Sequence, residues 1–119
     1  MNVAVVGASN NPEKYSYLAL KLLEEKGHRA FPVHPALKEI EGRKVYANLA
    51  EIPEPVDTVT LYVGPALSSK LEGEIFSVKT RRIIFNPGAE NPDLERHAEA
   101  AGIRALEACT LVLLKTGQF

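Results

Sequence analysis

The residues best suited to chemistry stand near the start of the chain, where an apolar run ends in a glycine. Gly7, Ala8 and Ser9 follow this β-branched run, and Lys14 and Ser16 come a few residues later. Small residues let a ligand approach the backbone, hydroxyls form hydrogen bonds, and the lysine adds a positive charge. The helix that begins here presents unpaired N–H groups and the positive end of its dipole. The stretch therefore predicts a phosphate-binding strand–loop–helix unit.

The glycine pattern does not by itself identify the ligand. Dinucleotide-binding loops follow G-x-G-x-x-G, and the segment 7–9 lacks the second glycine. Glycine at such a position also occurs in ordinary strand-to-helix turns, where it serves only the backbone geometry. Both interpretations, a phosphate loop and a simple turn, are open at this point.

The residue type at the end of the second predicted strand helps to distinguish between classes of nucleotide ligand. A dinucleotide site usually has an acidic residue there, about 20 residues past the glycines, to bind the ribose hydroxyls. Here His34 and Pro35 occupy that position. Lysine and arginine attract a phosphorylated ribose instead, and each single cation is also compatible with an ordinary solvated loop charge. Four cations are candidates on this side, which favours an adenosine that carries phosphates: Lys14, Lys38, Arg43 and Lys44.

Alternating strand and helix patterns predict the frame that positions these residues. Short β-branched runs are typical of buried parallel strands, and they fall at residues 2–6, 29–33, 57–63, 82–85 and 103–106. The first helix is predicted from Tyr15 or Ser16 to Lys26, before Gly27. Its expected apolar face consists of Tyr15, Leu18, Ala19, Leu22 and Leu23. A short terminal helix capped by Thr110 follows the last strand.

The pattern indicates an α/β fold of one domain, residues 1–119, with a Rossmann-like open parallel sheet and helices on both faces. We predict the strand order 3-2-1-4-5-6, with a small or missing third strand at residues 44–46. Ligands of such sheets bind where the order reverses, here between the first strand and residues 57–63. That arrangement places Gly64 and Pro65 opposite the glycine loop.

Composition narrows the classes of function. Fourteen Lys+Arg against fifteen Asp+Glu give a net charge of −1, without the basic excess typical of nucleic-acid-binding proteins. No apolar run approaches the length of a membrane span, and no signal peptide is visible. The single cysteine, Cys109, excludes an internal disulfide. We expect a cytoplasmic protein with a small-molecule ligand and with neither a nucleic-acid nor a membrane partner.

Taken in chain order, the segments resemble the CoA-binding domain family, small proteins that look like the N-terminal CoA-binding domain of the succinyl-CoA synthetase α subunit. The resemblance rests on Val6-Gly7-Ala8-Ser9, Pro12-x-Lys14-x-Ser16, Val33-His34-Pro35, Gly42, Tyr46, Ile52-Pro53, Val56-Asp57 and Val63-x-Pro65. It implies a Rossmann-type, nucleotide-binding fold that binds coenzyme A or acyl-CoA, without an established catalytic activity. The chain departs from the usual family pattern at His34, where asparagine is common, at Asn86-Pro87-Gly88 and at Glu107-Ala108-Cys109.

The remaining candidates suggest ligand contacts rather than a catalytic centre. Cys109 follows the last strand, so it is either near the end of a bound CoA arm or a buried small apolar residue. His34 is expected at the site, stacking on adenine or hydrogen-bonding to it. The three histidines lack metal-ligand spacing, and no Ser/His/Asp or paired-carboxylate set converges on the crevice. We therefore assign no catalytic residue and no metal ligand.

Two other classes of function stay open. One is an oxidoreductase-like domain with an NAD(P) cofactor, which the missing acid after Val33 disfavours. The other is an interaction module that has kept the fold and lost the ligand. A homo-oligomer is compatible with each of these functions.

Overall fold

The β-branched runs form a parallel sheet at the centre of the molecule. The computed structural model describes residues Met1–Phe119. Five strands belong to the main sheet, and the two short ones, β3 and β4, form a separate antiparallel hairpin. In chain order the strands are β1 (Asn2–Val6), β2 (Arg29–Val33), β3 (Glu39–Ile40), β4 (Arg43–Lys44), β5 (Thr58–Leu61), β6 (Arg82–Phe85) and β7 (Arg104–Glu107).

The order of the main sheet is β2-β1-β5-β6-β7, with every pair parallel. This confirms the predicted order, and the small third strand expected at residues 44–46 is a single residue. Tyr46 pairs in parallel with Val33, its N–H donates to the Pro32 carbonyl at 2.9 Å, and its carbonyl accepts from His34 N–H at 3.0 Å. Because β2 is the edge of the main sheet, Pro32 is tolerated there.

Helices cover both faces of the sheet, as the alternating pattern predicts. They are α1 (Tyr15–Glu25), a 3₁₀ turn (Leu49–Glu51), α2 (Pro65–Lys70), α3 (Glu72–Ser77), α4 (Pro92–Ala100) and α5 (Thr110–Lys115). Asn91 caps α4, since its side chain accepts from Leu94 N–H at 3.1 Å. None of these helices combines the length and apolar character needed to cross a membrane.

Alternation along β1 divides the core into two clusters. Val3 and Val5 pack with residues of α1 and α5, such as Leu20 and Leu114. Ala4 and Val6 belong to the second cluster, on the opposite face, which the 3₁₀ turn, α3 and α4 cover. Successive side chains of a strand point to opposite faces, so this central strand is buried on both sides.

The predicted apolar face of α1 is partly wrong, since Ala19 and Leu23 are buried as expected but its first two residues are not. Tyr15 and Leu18 are 67% and 40% exposed, whereas Ser16, Tyr17 and Leu20 are buried. Apolar residues occupy more than half of this helix, so the sequence defines a broad stripe and packing selects its centre. Contact with both the sheet and α5 turns the 16–20–23 line inward.

The beginning of α5 also differs from the prediction. Cys109 occupies the N-cap position, and Thr110 is the first helical residue. The Thr110 hydroxyl is 2.8 Å from the Thr60 hydroxyl, and Thr110 N–H donates to Asn86 Oδ1 at 2.9 Å. The threonine therefore joins α5 to the strands below instead of capping its own helix.

Ion pairs attach the small hairpin to α1. Arg43 donates from Nε and Nη2 to both carboxylate oxygens of Glu24, at 2.7 and 2.6 Å. The Tyr17 hydroxyl donates to Glu41, which also lies 3.6 Å from Lys21 Nζ. Arg43, one of the four cations expected near the phosphate side, is thus paired with helix α1.

Candidate functional site

A cavity of about 570 Å³ opens at the carboxyl ends of β1, β2 and β5, where the strand order reverses. Val6, Val33 and Val63 line it from the three strand ends. This is the position at which open α/β sheets bind ligands. Most of the other lining residues are small or apolar, so the cavity suits a flat or extended apolar group beside a polar loop.

Gly7 makes the turn that opens the cavity. Its φ of +86° is costly for a residue with a side chain, and an added Cβ would lie 2.8 Å from Val63 Cγ1 and 3.0 Å from the Tyr62 carbonyl oxygen. The N–H groups of Gly7 and Ala8 both donate to the Val33 carbonyl, at 3.1 and 3.2 Å. Glycine is therefore required here by the protein itself, and these two N–H groups are already used.

The free backbone donors lie just beyond the glycine. Ser9 and Asn10 line the cavity, and their N–H groups make no hydrogen bond within the protein. The Ser9 hydroxyl accepts from Asn11 N–H, and the Asn11 side chain accepts from Glu13 N–H, each at 3.0 Å. These local bonds shape the loop and leave two adjacent N–H groups at the cavity.

Helix α1 starts after this loop without a capping side chain. Lys14 holds the N-cap position, it makes no side-chain cap bond, and the first turn has no acidic residue. The N–H groups of Tyr15, Ser16 and Tyr17 are likewise unbonded. An uncapped helix start concentrates positive potential at this edge of the sheet.

His34 lines the cavity from the end of β2, and its ring shapes the local backbone. Nδ1 accepts from the N–H groups of Ala36 and Leu37, both at 3.0 Å. The proton of the neutral ring is therefore on Nε2, which leaves one donor. An asparagine side-chain carbonyl can accept the same two N–H bonds, so this turn is compatible with either histidine or asparagine.

Glu74 also lines the cavity, although no sequence motif points to it. It is the only carboxylate in the lining, and Oε1 accepts from Leu49 N–H, the first donor of the 3₁₀ turn. Leu67 and Leu71 line the same wall. The spacing of these three residues, four and then three positions, is the signal of a shared helical side, although the helix breaks at Leu71 into α2 and α3.

The structure brings together four of the ten residues proposed from sequence: Gly7, Ala8, Ser9 and His34 all line the cavity. The exposed Lys14 and Lys38 lie outside the lining. Ser16 is only 5% exposed and belongs to the buried side of α1. Loss of solvent contact at Ser16 comes from helix packing, which the motif alone does not reveal.

The last three predicted contacts also lie outside the lining. Gly64 is the N-cap of α2 and Pro65 its first residue, while Val63 and Leu67 on either side reach the cavity. Cys109 is half-buried at the start of α5. Its carbonyl accepts from Leu113 N–H at 3.0 Å.

Beside Cys109 lies a buried polar group of a different kind. The Asn86 side-chain amide donates to the Thr60 hydroxyl at 2.7 Å and to the Leu61 carbonyl at 2.8 Å. The nearby Tyr62 hydroxyl is buried without a hydrogen-bond partner. Burial raises the pKa of Tyr62 to about 12. Asn86, which directly follows β6, thus links β5 to the start of α5.

These features define a class of protein, a Rossmann-like domain with a ligand cavity at the switch point of its sheet. The family model for the CoA binding domain matches residues 1–115, and the chain belongs to that family. The structure also agrees with a crystal structure of an uncharacterized protein, with a TM-score of 0.93 and 37% identity. That match covers 99% of this chain and 97% of the other.

Two curated relatives match about half of the chain. The alpha subunit of ADP-forming acetate–CoA ligase II from Pyrococcus furiosus is 40% identical over 62 residues, 51% of this chain and 14% of the subunit. The uncharacterized protein YneT of Bacillus subtilis is 35% identical over 60 residues, 50% of this chain and 44% of YneT. This chain therefore aligns with less than half the length of either relative.

Proposed function

We propose that the protein binds coenzyme A or an acyl-CoA in the cavity at the carboxyl edge of the sheet. The observation that carries the proposal is the pair of free N–H groups of Ser9 and Asn10, at the mouth of an apolar cavity, next to the uncapped start of α1. Membership of the CoA-binding domain family supports this ligand. The curated Pyrococcus relative is named as a CoA ligase subunit, which supports the same ligand class.

Ser9 and Asn10 hold the pyrophosphate in this proposal. Backbone N–H groups and a helix start stabilise anions without a lysine in the cavity itself. Lys14 and Lys38, which are exposed outside the lining, are then left to meet phosphates from the solvent side, including the 3′-phosphate of CoA.

The rest of the cavity accommodates the less charged parts of the ligand. Leu67, Leu71 and Val63 provide apolar contact, and the Nε2 donor of His34 lies on the β2 side. The Glu74 carboxylate repels phosphate, so the group beside it must be a hydrogen-bond donor, such as an amino, amide or hydroxyl group of CoA. This divides the cavity into a phosphate end and a neutral end.

The proposal is one of binding without catalysis. The two ionisable residues in the lining, His34 and Glu74, already accept hydrogen bonds from the backbone, and neither has a second titrating group as a partner there. Cys109 and the Gly64-Pro65 turn stay predicted contacts for the CoA arm. The cytoplasmic location and self-association also stay predictions.

Isothermal titration with CoA, dephospho-CoA and NAD tests this function. We expect CoA to bind and NAD to give little heat. Glu74→Gln keeps an acceptor for Leu49 N–H but removes the charge, so it should weaken CoA binding, because the CoA donor group beside this residue loses a charged acceptor. Glu72→Gln is the matched control, because Glu72 lies on α3 like Glu74 but contacts His97 of α4 and is outside the cavity lining.

The outcomes separate the three classes of function. Tighter binding of NAD than of CoA would establish the oxidoreductase-like alternative and reject the proposal. Absence of binding by either ligand, with a folded protein by circular dichroism, would indicate the interaction module. Native mass spectrometry of freshly purified protein supplies an independent check, since carried-over CoA adds a defined mass.

A further inference from the structure

A second cavity, of about 350 Å³, lies at the opposite, amino-terminal edge of the sheet. Its charged lining comprises Arg81, Arg82, Arg104 and Asp57. The CoA proposal makes no use of this cavity, because the two sites lie at opposite ends of the strands. A concentration of guanidinium groups at a cavity requires a physical explanation, since like charges repel.

Arg82 is held in place although no carboxylate pairs with it. Its Nε donates to the Thr58 hydroxyl at 2.8 Å, and its guanidinium lies 4.3 Å from the centre of the Phe119 ring. The side chain is half-buried, and no ion pair includes it. Burial, followed by the charges of Arg104 and Arg81, lowers the pKa of Arg82. Buried arginines are normally paired.

The pairing of the strands brings the charges together. Arg82 of β6 and Arg104 of β7 are register partners in the parallel sheet, and Thr58 of β5 is the partner of Arg82 on the other side. Side chains of register partners point to the same face. Like charges directly opposite one another destabilise a sheet, so this arrangement favours an anion placed between the two guanidinium groups.

We propose that this cavity, which we name the arginine site, binds a dianionic phosphoryl group of a small phosphorylated molecule. Three guanidinium groups face one carboxylate, that of Asp57, whose Oδ1 is 3.6 Å from Arg81. Among the lining side chains the positive charges therefore exceed the negative ones by two, which favours a dianion such as phosphate. Guanidinium groups bind such oxyanions through paired hydrogen bonds, and Met1 and Phe119 supply the apolar walls.

Titration of the ¹⁵N-labelled protein with inorganic phosphate and with glycerol 3-phosphate tests the site. We expect saturable amide shifts at residues 58, 81, 82 and 104 with both probes. The amides of Ser9 and Asn10 report separately on any phosphate bound at the carboxyl edge. The proposals for the arginine site and for the CoA cavity are therefore tested independently. Tighter binding of glycerol 3-phosphate identifies an organic phosphate as the better ligand, and equal affinity identifies the free ion.

Arg82→Gln and Arg104→Gln should each weaken phosphate binding at the arginine site by about tenfold or more. Arg96→Gln is the control, because Arg96 is exposed on α4 and paired with Asp93. Phosphate should also raise the melting temperature of the wild type more than chloride does at equal ionic strength, and this difference should vanish in the double variant. Shifts confined to the Ser9–Asn10 loop, or equal affinities in all variants, would overturn the proposal.

Discussion

The two proposed anion sites, at the carboxyl and amino edges of the same sheet, differ in the kind of group that would bind the anion. At the carboxyl edge, the cavity has no lysine or arginine in its lining, and its donors are backbone N–H groups and a helix start. At the amino edge, the proposed donors are guanidinium side chains, two of them on adjacent strands. Anion binding at the carboxyl edge thus depends on the path of the backbone, whereas at the amino edge it depends on which side chains are present.

This contrast predicts different responses to mutation. A substitution at the carboxyl edge changes the path of the chain, so it should alter stability together with ligand binding. A substitution of one of the arginines removes a charge that the sheet does not need in order to fold. It should therefore weaken anion binding with little loss of stability. Four predictions follow from this difference, beginning with the largest effect.

Gly7→Val should cost about 3 kcal/mol or more of unfolding free energy. The positive φ strains a β-branched residue, and its Cβ overlaps Val63 and the Tyr62 carbonyl. Urea denaturation followed by circular dichroism measures the loss. Gly64→Ala is the matched control, since φ is −69° there and no atom lies within 4 Å of the added Cβ, and it should cost less than about 1 kcal/mol. Equal losses in the two variants would contradict the assignment of Gly7 to the turn.

Tyr62 should make the protein less stable at alkaline pH. The unfolded chain loses the phenolic proton near pH 10, and the folded protein keeps it to about pH 12. The neutral hydroxyl therefore contributes stability that is complete below pH 10 and is lost as the pH rises from 10 to 12, up to about 2.7 kcal/mol.

The comparison of the wild type with Tyr62→Phe isolates that contribution. Urea denaturation at pH 8.5 and pH 11 should show a larger loss in the wild type than in the variant. Because the Tyr62 hydroxyl has no hydrogen-bond partner, the variant should match the wild type at neutral pH. A parallel decline in both proteins would mean that other groups cause the alkaline unfolding.

Lys14→Ala and Lys38→Ala test how far side chains assist the backbone at the carboxyl edge. Replacing the lysine that contacts the 3′-phosphate should weaken the binding free energy of CoA by about 2 kcal/mol and that of dephospho-CoA by much less. Isothermal titration gives both values, and Lys26→Ala at the far end of α1 is the control. Small, equal losses for the two ligands would show that both lysines are solvated surface charges.

His34→Asn should leave stability within about 0.5 kcal/mol of the wild type, whereas His34→Ala should cost about 1 kcal/mol. Asparagine can accept from the same backbone N–H groups as Nδ1, and alanine cannot. Thermal and urea unfolding of the two variants provide the comparison. If asparagine is as destabilising as alanine, the ring contributes through packing and not through this turn.

Much of the fold could be predicted because its signals are local. The β-branched runs define the strands, and glycine or proline soon after most runs marks their ends, as at Gly7, Pro35 and Pro87. Alternation of strands with helices then restricts the topology, since parallel connections are right-handed. The order β2-β1-β5-β6-β7 and the position of the cavity follow from those rules.

The composition of the cavity depended on packing. Ser16 carries the right chemistry at the right spacing, yet the sheet and α5 turn it into the core. Glu74 has no motif around it, and it reaches the cavity because α3 packs beside the 3₁₀ turn and Leu49 N–H binds its carboxylate. A helical pattern defines a stripe, while the neighbouring elements decide which side of that stripe faces the ligand.

The sequence by itself determined the strand ends, the loop chemistry and the family resemblance, because each is encoded within a few adjacent residues. Tertiary structure alone decided which distant residues share a surface. Arg82 and Arg104 are 22 positions apart in the chain and become neighbours only through the register of β6 and β7. Strand register is set by hydrogen bonding and core packing along the whole strand. No local motif could therefore predict that these two arginines would be neighbours.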